Sequence, residues 1–214
     1  MPGLTDVGEN AVLDEVYNAG AGTFPTADPF VALHSGDPGE NGTTNELAGG
    51  SYARQQVAFD AAAAGTLANT GAITWSVPAG DVAAWSIWTL VTGGSCYQTG
   101  FFSTVSGLAV VRSTDLTNND IQTVAHGLVA NDRVAFEAIE GLTTPAGITL
   151  GQIYHVIATG LTTDVFRFSA TAGGAAIDIT AAGSAVWRKV AVTNFSSPGT
   201  FQVAAGDLDI FATE

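Results

Sequence analysis

Acid–base, nucleophilic and metal chemistry need histidine, cysteine, serine or convergent carboxylates, and this chain offers few of them in useful arrangements. His34, His126 and His155 lie far apart, and no pair has the i, i+4 spacing with which a helix presents two imidazoles to zinc. His155 sits inside IYHVI, where a strand would turn it toward a neighbour, and His126 sits in the turn AHGL. Without acidic or nucleophilic partners nearby, all three read as structural. Cys96 is the single cysteine, which rules out an intrachain disulfide and, with scattered histidines, a structural zinc set. The chain has no G-x-S-x-G nucleophile elbow, no G-x-x-x-x-G-K-S/T phosphate loop and no βαβ unit for a dinucleotide.

Carboxylates are more numerous. The segment from Asp37 through Gly39, Glu40, Asn41 and Gly42 to Glu46 begins like a calcium loop, with Asp first, Asn fifth and Gly sixth. Gly39 and Ala48 then occupy the third and twelfth positions, where an oxygen ligand and a bidentate Glu belong. Asp115, Asn118, Asn119 and Asp120 form a second oxygen-rich turn. Asp37, Glu40, Asn41, Asp115 and Asp120 are thus calcium candidates beside their plainer reading as solvated turn residues. No cofactor is expected, and no acid–base pair suited to glycoside cleavage can be nominated. Among the aromatics, most stand at alternating strand positions and belong in a core. Trp85 and Trp88 differ by an odd number, so a regular strand points them to opposite faces. With Trp187 they are the interface candidates.

The elements that must position these residues are mostly strands. A helix is expected over 6–19, with Asp6 as N-cap, Glu9 completing a box-like pattern, and Val12, Leu13, Val16 and Tyr17 as an apolar stripe before Gly20 and Gly22. The period then drops to two, giving strands at 30–34, 53–59, 72–77, 84–91 and 96–103. A second group is expected at 120–125, 133–139, 152–158, 164–169, 176–180 and 184–190, and the closing FQVAAGDLDIFATE reads as a strand pair broken at Gly206-Asp207. The fold class is mainly β: a sandwich- or barrel-like domain with one N-terminal helix, interrupted by a second small all-β domain. Residues 1–107 with 191–214 form the first domain, and 108–190 the insert, which carries five of the six bases.

Composition sets the outer bounds. Twenty acids against six bases give a net charge of −14, and one lysine with five scattered arginines cannot build the basic patch that DNA, RNA or anionic lipid requires. No apolar run approaches the ~20 residues that span a bilayer. The N-terminus has acids where a secretion signal has bases, so synthesis and folding in a cytoplasm are expected.

Three stretches resemble a family of tailed-bacteriophage virion proteins labelled minor tail or fibre-like. They are ENAVLDEVYNAG, then FVALHSGDPGENGTTNELAGGSYARQQVAF, then NTGAITWSVPAGDVAAWSIWTLVTGGSCYQTGFFS with the closing AAGDLDIFATE. The matching positions are Leu33, His34, Asp37, Pro38, Gly39, Asn45, Glu46, Tyr52, Ala53, Arg54, Gly206, Asp207 and Leu208. These look structural: Asp37-Pro38-Gly39 sets a turn, and Glu46 and Arg54 could pair across the loop. The insert, through AHGLVANDRVAF, GLTTPAGITLGQIYHVI and VFRFSATAGGAAIDIT, is similar to a β-rich module of phage appendages. The resemblance implies a non-enzymatic virion component, made in the host cytoplasm, that partners with itself as a homotrimer and with other tail or capsid proteins. Capsid decoration is the alternative within that class. A carbohydrate-binding appendage contacting host surface glycan through 108–190 is the alternative from another.

Overall fold

The computed structural model describes residues 6–18, 28–113 and 115–211, without the side chains of residues 6–9, 104, 209 and 211. Among the described residues one helix, α1 (Asp6–Tyr17), precedes sixteen strands. In chain order these are β1 (Phe30–His34), β2 (Gln55–Gln56), β3 (Thr66–Ala68), β4 (Ile73–Val77), β5 (Gly80–Val82), β6 (Ala84–Trp88), β7 (Cys96–Phe101) and β8 (Ser103–Val111). There follow β9 (Ile121–Gln122), β10 (Arg133–Glu137), β11 (Tyr154–Ile157), β12 (Val165–Ser169), β13 (Gly183–Val190), β14 (Thr193–Phe195), β15 (Gly199–Val203) and β16 (Asp209–Phe211). The fold is mainly β with one helix, in line with the sequence. The chain divides into two compact units, Met1–Gly100 with Asn194–Glu214, and Phe101–Thr193.

The first unit centres on a four-stranded sheet in the order β2-β1-β6-β7, with β1 and β6 antiparallel from Phe30↔Trp88 to His34↔Ala84. Val31, Ala32 and Leu33 are consecutive and all buried, because both faces of β1 are covered. In β4, by contrast, Ile73, Trp75 and Val77 are buried and alternate with exposed Thr74 and Ser76. Helix α1 seats Leu13 and Tyr17, one turn apart, while Val12 is exposed. The inward stripe is therefore Leu13/Tyr17, and Val12 lies off it. The side chains of the expected caps Asp6 and Glu9, and the stop at Gly20 and Gly22, lie outside the described residues. Asn10 and Asp14 hold the helix to the 60–65 segment: Gly65 N–H donates to Asn10 Oδ1 at 2.7 Å and Ala62 N–H to Asp14 Oδ1 at 2.8 Å.

The closing segment is not a strand pair in itself. β15 pairs with β4, Phe201 opposite Trp75, and β16 pairs with β3, Ile210 opposite Leu67. The Gly206-Asp207 break does not fold these strands on each other. Asn69, buried, fixes the turn between them: its amide donates to Gly71 O and Ala204 O at 2.7 and 2.8 Å, and its carbonyl oxygen accepts Leu208 N–H at 2.9 Å. Gly206 takes the φ of +80° that this turn requires.

The second unit is a closed barrel in the order β10-β11-β12-β9-β8-β13. Its core gathers Phe136, Tyr154, Phe166, Phe168 and Trp187 around Val134, Val156 and Ile121, all buried. The rings meet in tilted and edge-to-face pairs, with Phe136 and Phe166 stacked, at centroid separations of 4.7–6.5 Å. Residues 176–180, expected as a strand, are extended but join no ladder. Their amides serve three different elements: Ile177 N–H donates to Phe168 O, Ile179 N–H to Asn119 Oδ1 and Thr180 N–H to Ala146 O. Among the described residues, no helix is long and apolar enough to cross a membrane.

Candidate functional site

Among the described residues, a network of polar side chains stands in the first unit and a cleft in the second. The first is built on the loop after β1. Asp37 Oδ1 accepts Gly39 N–H at 2.9 Å, the Asx turn that an Asp-Pro-Gly sequence favours, and Gly39 takes a φ of +67°. Gly42 N–H donates to Gly39 O, Thr44 N–H to Pro38 O, and the Asn45 amide to Asp37 O at 2.9 Å. Gly42, at φ +68°, lies where an added Cβ would stand 2.5 Å from Cys96 Sγ and 2.9 Å from the Trp88 ring. The loop is thus closed on itself by its own backbone.

Beneath it, His34 is fully buried. Its Nδ1 lies 2.8 Å from Thr44 O, and a carbonyl only accepts, so Nδ1 carries the proton. Ser86 Oγ accepts Trp88 Nε1–H at 2.6 Å, which leaves its own hydrogen for His34 Nε2 at 2.7 Å. Burial pushes the imidazole below its ordinary 6.5, outweighing the opposing pull of the Thr44 bond and of Glu46. Tyr52 extends the same frame: its hydroxyl accepts Leu33 N–H at 2.8 Å on the β1 edge beyond β2, and burial raises its pKa. Burial likewise pushes Tyr17 up to about 12 and raises the Cys96 thiol.

Arg54 ties the frame together. Its Nε and Nη2 donate to the two oxygens of Glu46 at 2.8 and 2.7 Å, and its Nη1 donates to Leu90 O and Gly93 O at 3.2 and 2.9 Å. The guanidinium carbon stands 3.6 Å from the centroid of the Trp88 ring. The Arg54 side chain is 8% exposed and that of Glu46 23%. This is a bidentate pair with a stacked face, an arrangement lysine could not reproduce.

The second place is a cleft of about 450 Å³ in the barrel unit, between residues 105–108 of β8 and the segment 122–126. Trp187 closes its floor at 1% exposure, donating Nε1–H to Thr123 Oγ1 at 3.0 Å, and Gly107 lies against the indole so closely that a Cβ would meet Nε1 at 2.9 Å. His126 beside it has both nitrogens engaged by backbone: Nδ1 accepts Leu128 N–H at 2.9 Å, so Nε2 carries the proton toward Val165 O at 3.3 Å. Asp164 Oδ1 accepts Ala125 N–H at 2.8 Å. The cleft therefore pairs no nucleophile with a free base.

The structure distributes the remaining candidates as follows. It brings His34, Asp37, Pro38, Gly39, Glu46, Tyr52 and Arg54 into the one frame, and places Gly206 and Asp207 in the turn held by Asn69. The calcium candidates are not brought together: among the described residues no three His, Cys, Asp or Glu side chains converge. Asp37 is used by its own turn and Glu40 and Asn41 are exposed. Asp115 accepts Arg112 N–H and the Gln122 amide, while Asp120 pairs with Arg167 at 2.6 Å. Of the tryptophans offered as interface residues, Trp88 and Trp187 are buried and face inward, and Trp85 is half-buried with Gly100 against its ring. Sequence reasoning missed Asn69 and Ser86. Ser86 is one small polar residue inside the apolar run AWSIW, and Asn69 directly follows the short strand Thr66–Ala68; burial forces a hydrogen-bonding role on both.

Residues 3–127 match the model of the family described as Podophage GP4 fiber I protein gp80. No curated protein matches the chain, and no solved structure does. The matched stretch holds α1, the whole Asp37–Arg54 frame, β1 to β9 and the 105–108 and 122–126 walls of the cleft. It covers more than half of the sequence, and the chain belongs to this podophage fibre family.

Proposed function

We propose that this chain is a non-enzymatic structural subunit of a phage virion, a fibre or minor tail protein that assembles as a symmetric oligomer. The observation that carries the reading is the family match over residues 3–127. The use of polar groups supports it. In the Arg54 frame the guanidinium directs its bonds to Glu46, Leu90 O and Gly93 O, holding a loop to a sheet, which is the chemistry of a rigid part. The unit of residues 1–100 with 194–214 serves as the anchoring and oligomerising domain, and that of 101–193 as an accessory β-domain. Closed ring symmetry suits the axial sites that such appendages occupy.

Quantitative mass spectrometry of purified particles, followed by locating the chain in a reconstruction of the intact virion, tests this. The expected result is a low copy number at the tail. A copy number in the hundreds moves the protein to the head as a decoration protein, and its absence from particles overturns the reading.

A further inference from the structure

β8 is a strand with one edge satisfied and the other left open. Toward β13 it is paired along its whole length, from Gly183↔Val111 to Val190↔Ser103. Toward β9 it is paired only at Val110↔Gln122, and among the described residues no backbone hydrogen bond reaches that edge between 103 and 109. The cleft lies along this open stretch. Its walls expose Val105 at 46%, Leu108 at 53% and Val124 at 87%. Natural sheets blunt such an edge with charge, proline or a covering element, and this one carries an apolar surface and unpaired backbone groups instead.

Arg112 lines the cleft, as does Asp164, whose carboxylate accepts Ala125 N–H. Among the described residues the Arg112 guanidinium makes no ion pair, whereas Arg54, Arg167, Arg188 and Lys189 are bound to Glu46, Asp120, Glu137 and Asp132, and Arg133 is not free either. The acids are unevenly placed. Residues 1–100 with 194–214 hold 13 acids and one base, Arg54, while 101–193 hold seven acids and five bases. Contact between copies of so acidic a chain sets carboxylate against carboxylate unless one side offers a cation. Arg112 is a cation still available, and it sits beside an apolar, strand-ready edge.

We infer that the open edge of β8 and its cleft are where a second copy of this chain docks, bringing an acidic segment of its residues 1–100 or 194–214 against Arg112. An extended segment there completes the ladder left open at 103–109, buries Val105, Leu108 and Val124, and gives Arg112 its carboxylate. The contact is head-to-tail, unlike surfaces meeting, which gives a ring where the rotation between copies closes and an open filament where it does not. It rests on the oligomeric part of the proposed function and names the surface.

Sedimentation of the full chain over a range of concentrations tests this, with Leu108→Lys, Arg112→Glu and the control Val129→Lys, whose exposed side chain lies outside the cleft. The expected result is a wild-type oligomer. Each cleft variant should weaken association at least tenfold while keeping the wild-type circular dichroism spectrum, and the control should leave association unchanged. Arg112→Lys should retain most of it, and raised salt should weaken the wild type more than Arg112→Glu. A wild type monomeric at every concentration overturns the inference, as does an oligomer indifferent to both cleft variants or equally disrupted by the control. If particles contain the chain while it is monomeric in solution, the virion assignment stands and this surface falls.

Discussion

Arg54 and Arg112 are the same residue in opposite circumstances, and the contrast separates what this protein uses to hold itself together from what it leaves available. Arg54 spends its donors on Glu46, Leu90 O and Gly93 O and stacks on Trp88. Arg112 bonds to Asp115 through its backbone alone, its N–H donating to Oδ2 and its carbonyl accepting the Asp115 N–H, and it lines a cleft. In a chain with six bases, each cation is either committed to structure or conspicuous for not being so.

The largest expected effect is at the committed end. Arg54→Ala strands the partly buried Glu46 carboxylate and uncovers Trp88, and should cost about 3–5 kcal/mol in urea unfolding. A loss below about 1 kcal/mol would reduce the pair to an ordinary surface salt bridge. Next come two glycines that differ in backbone. Gly42→Ala meets both a left-handed φ and the Cys96 and Trp88 side chains, and should cost about 2–4 kcal/mol. Gly107→Ala meets only the Trp187 indole and should cost about 1–3 kcal/mol, with a shift in tryptophan emission as the ring is displaced.

A smaller effect sharpens the account of His34. Its folded pKa is depressed below 6.5, so between 6.5 and that lower value the unfolded chain binds a proton that the folded chain refuses. The contribution of neutral His34 is full above 6.5 and is lost as pH falls toward the folded value. Unfolding of wild type and His34→Asn, compared from pH 7.5 to 5, should show the wild type losing more stability across that window. Parallel curves would mean that the imidazole titrates as freely as in water. At the other end, Arg112→Ala should change stability by less than about 0.5 kcal/mol, since among the described residues no ion pair of its side chain is removed. A large loss there would erase the contrast between the two arginines.

Much of the fold was legible because β-periodicity survives where one face is buried. FVALH, AITWSV, RVAFEAI and VFRFS all stand where their patterning placed them. The legible part of the site was likewise local: Asp37-Pro-Gly forms its turn because the residues that make it are adjacent. Partners chosen by topology were not legible. Nothing in FQVAAGDLDIFATE says that Phe201 faces Trp75 and Ile210 faces Leu67, since both ladders join residues more than a hundred positions apart. The 176–180 run has strand-like residues but no single neighbour to pair with. Trp187 is an interface candidate by residue type, and alternation alone does not say which face of a closed barrel is inside; the barrel buries it.

Those distant ladders also govern the order in which the protein can be made. The barrel is one uninterrupted stretch, 101–193, and can close as soon as it leaves the ribosome. β3 and β4 are synthesised earlier, but their partners β16 and β15 come only after the whole barrel has been translated. At ordinary elongation rates that gap is roughly 6–28 seconds, during which the Leu67 and Trp75 strands have an unsatisfied edge. The nascent chain thus carries a finished domain beside a half-finished one, and the half-finished one is where aggregation during expression should begin.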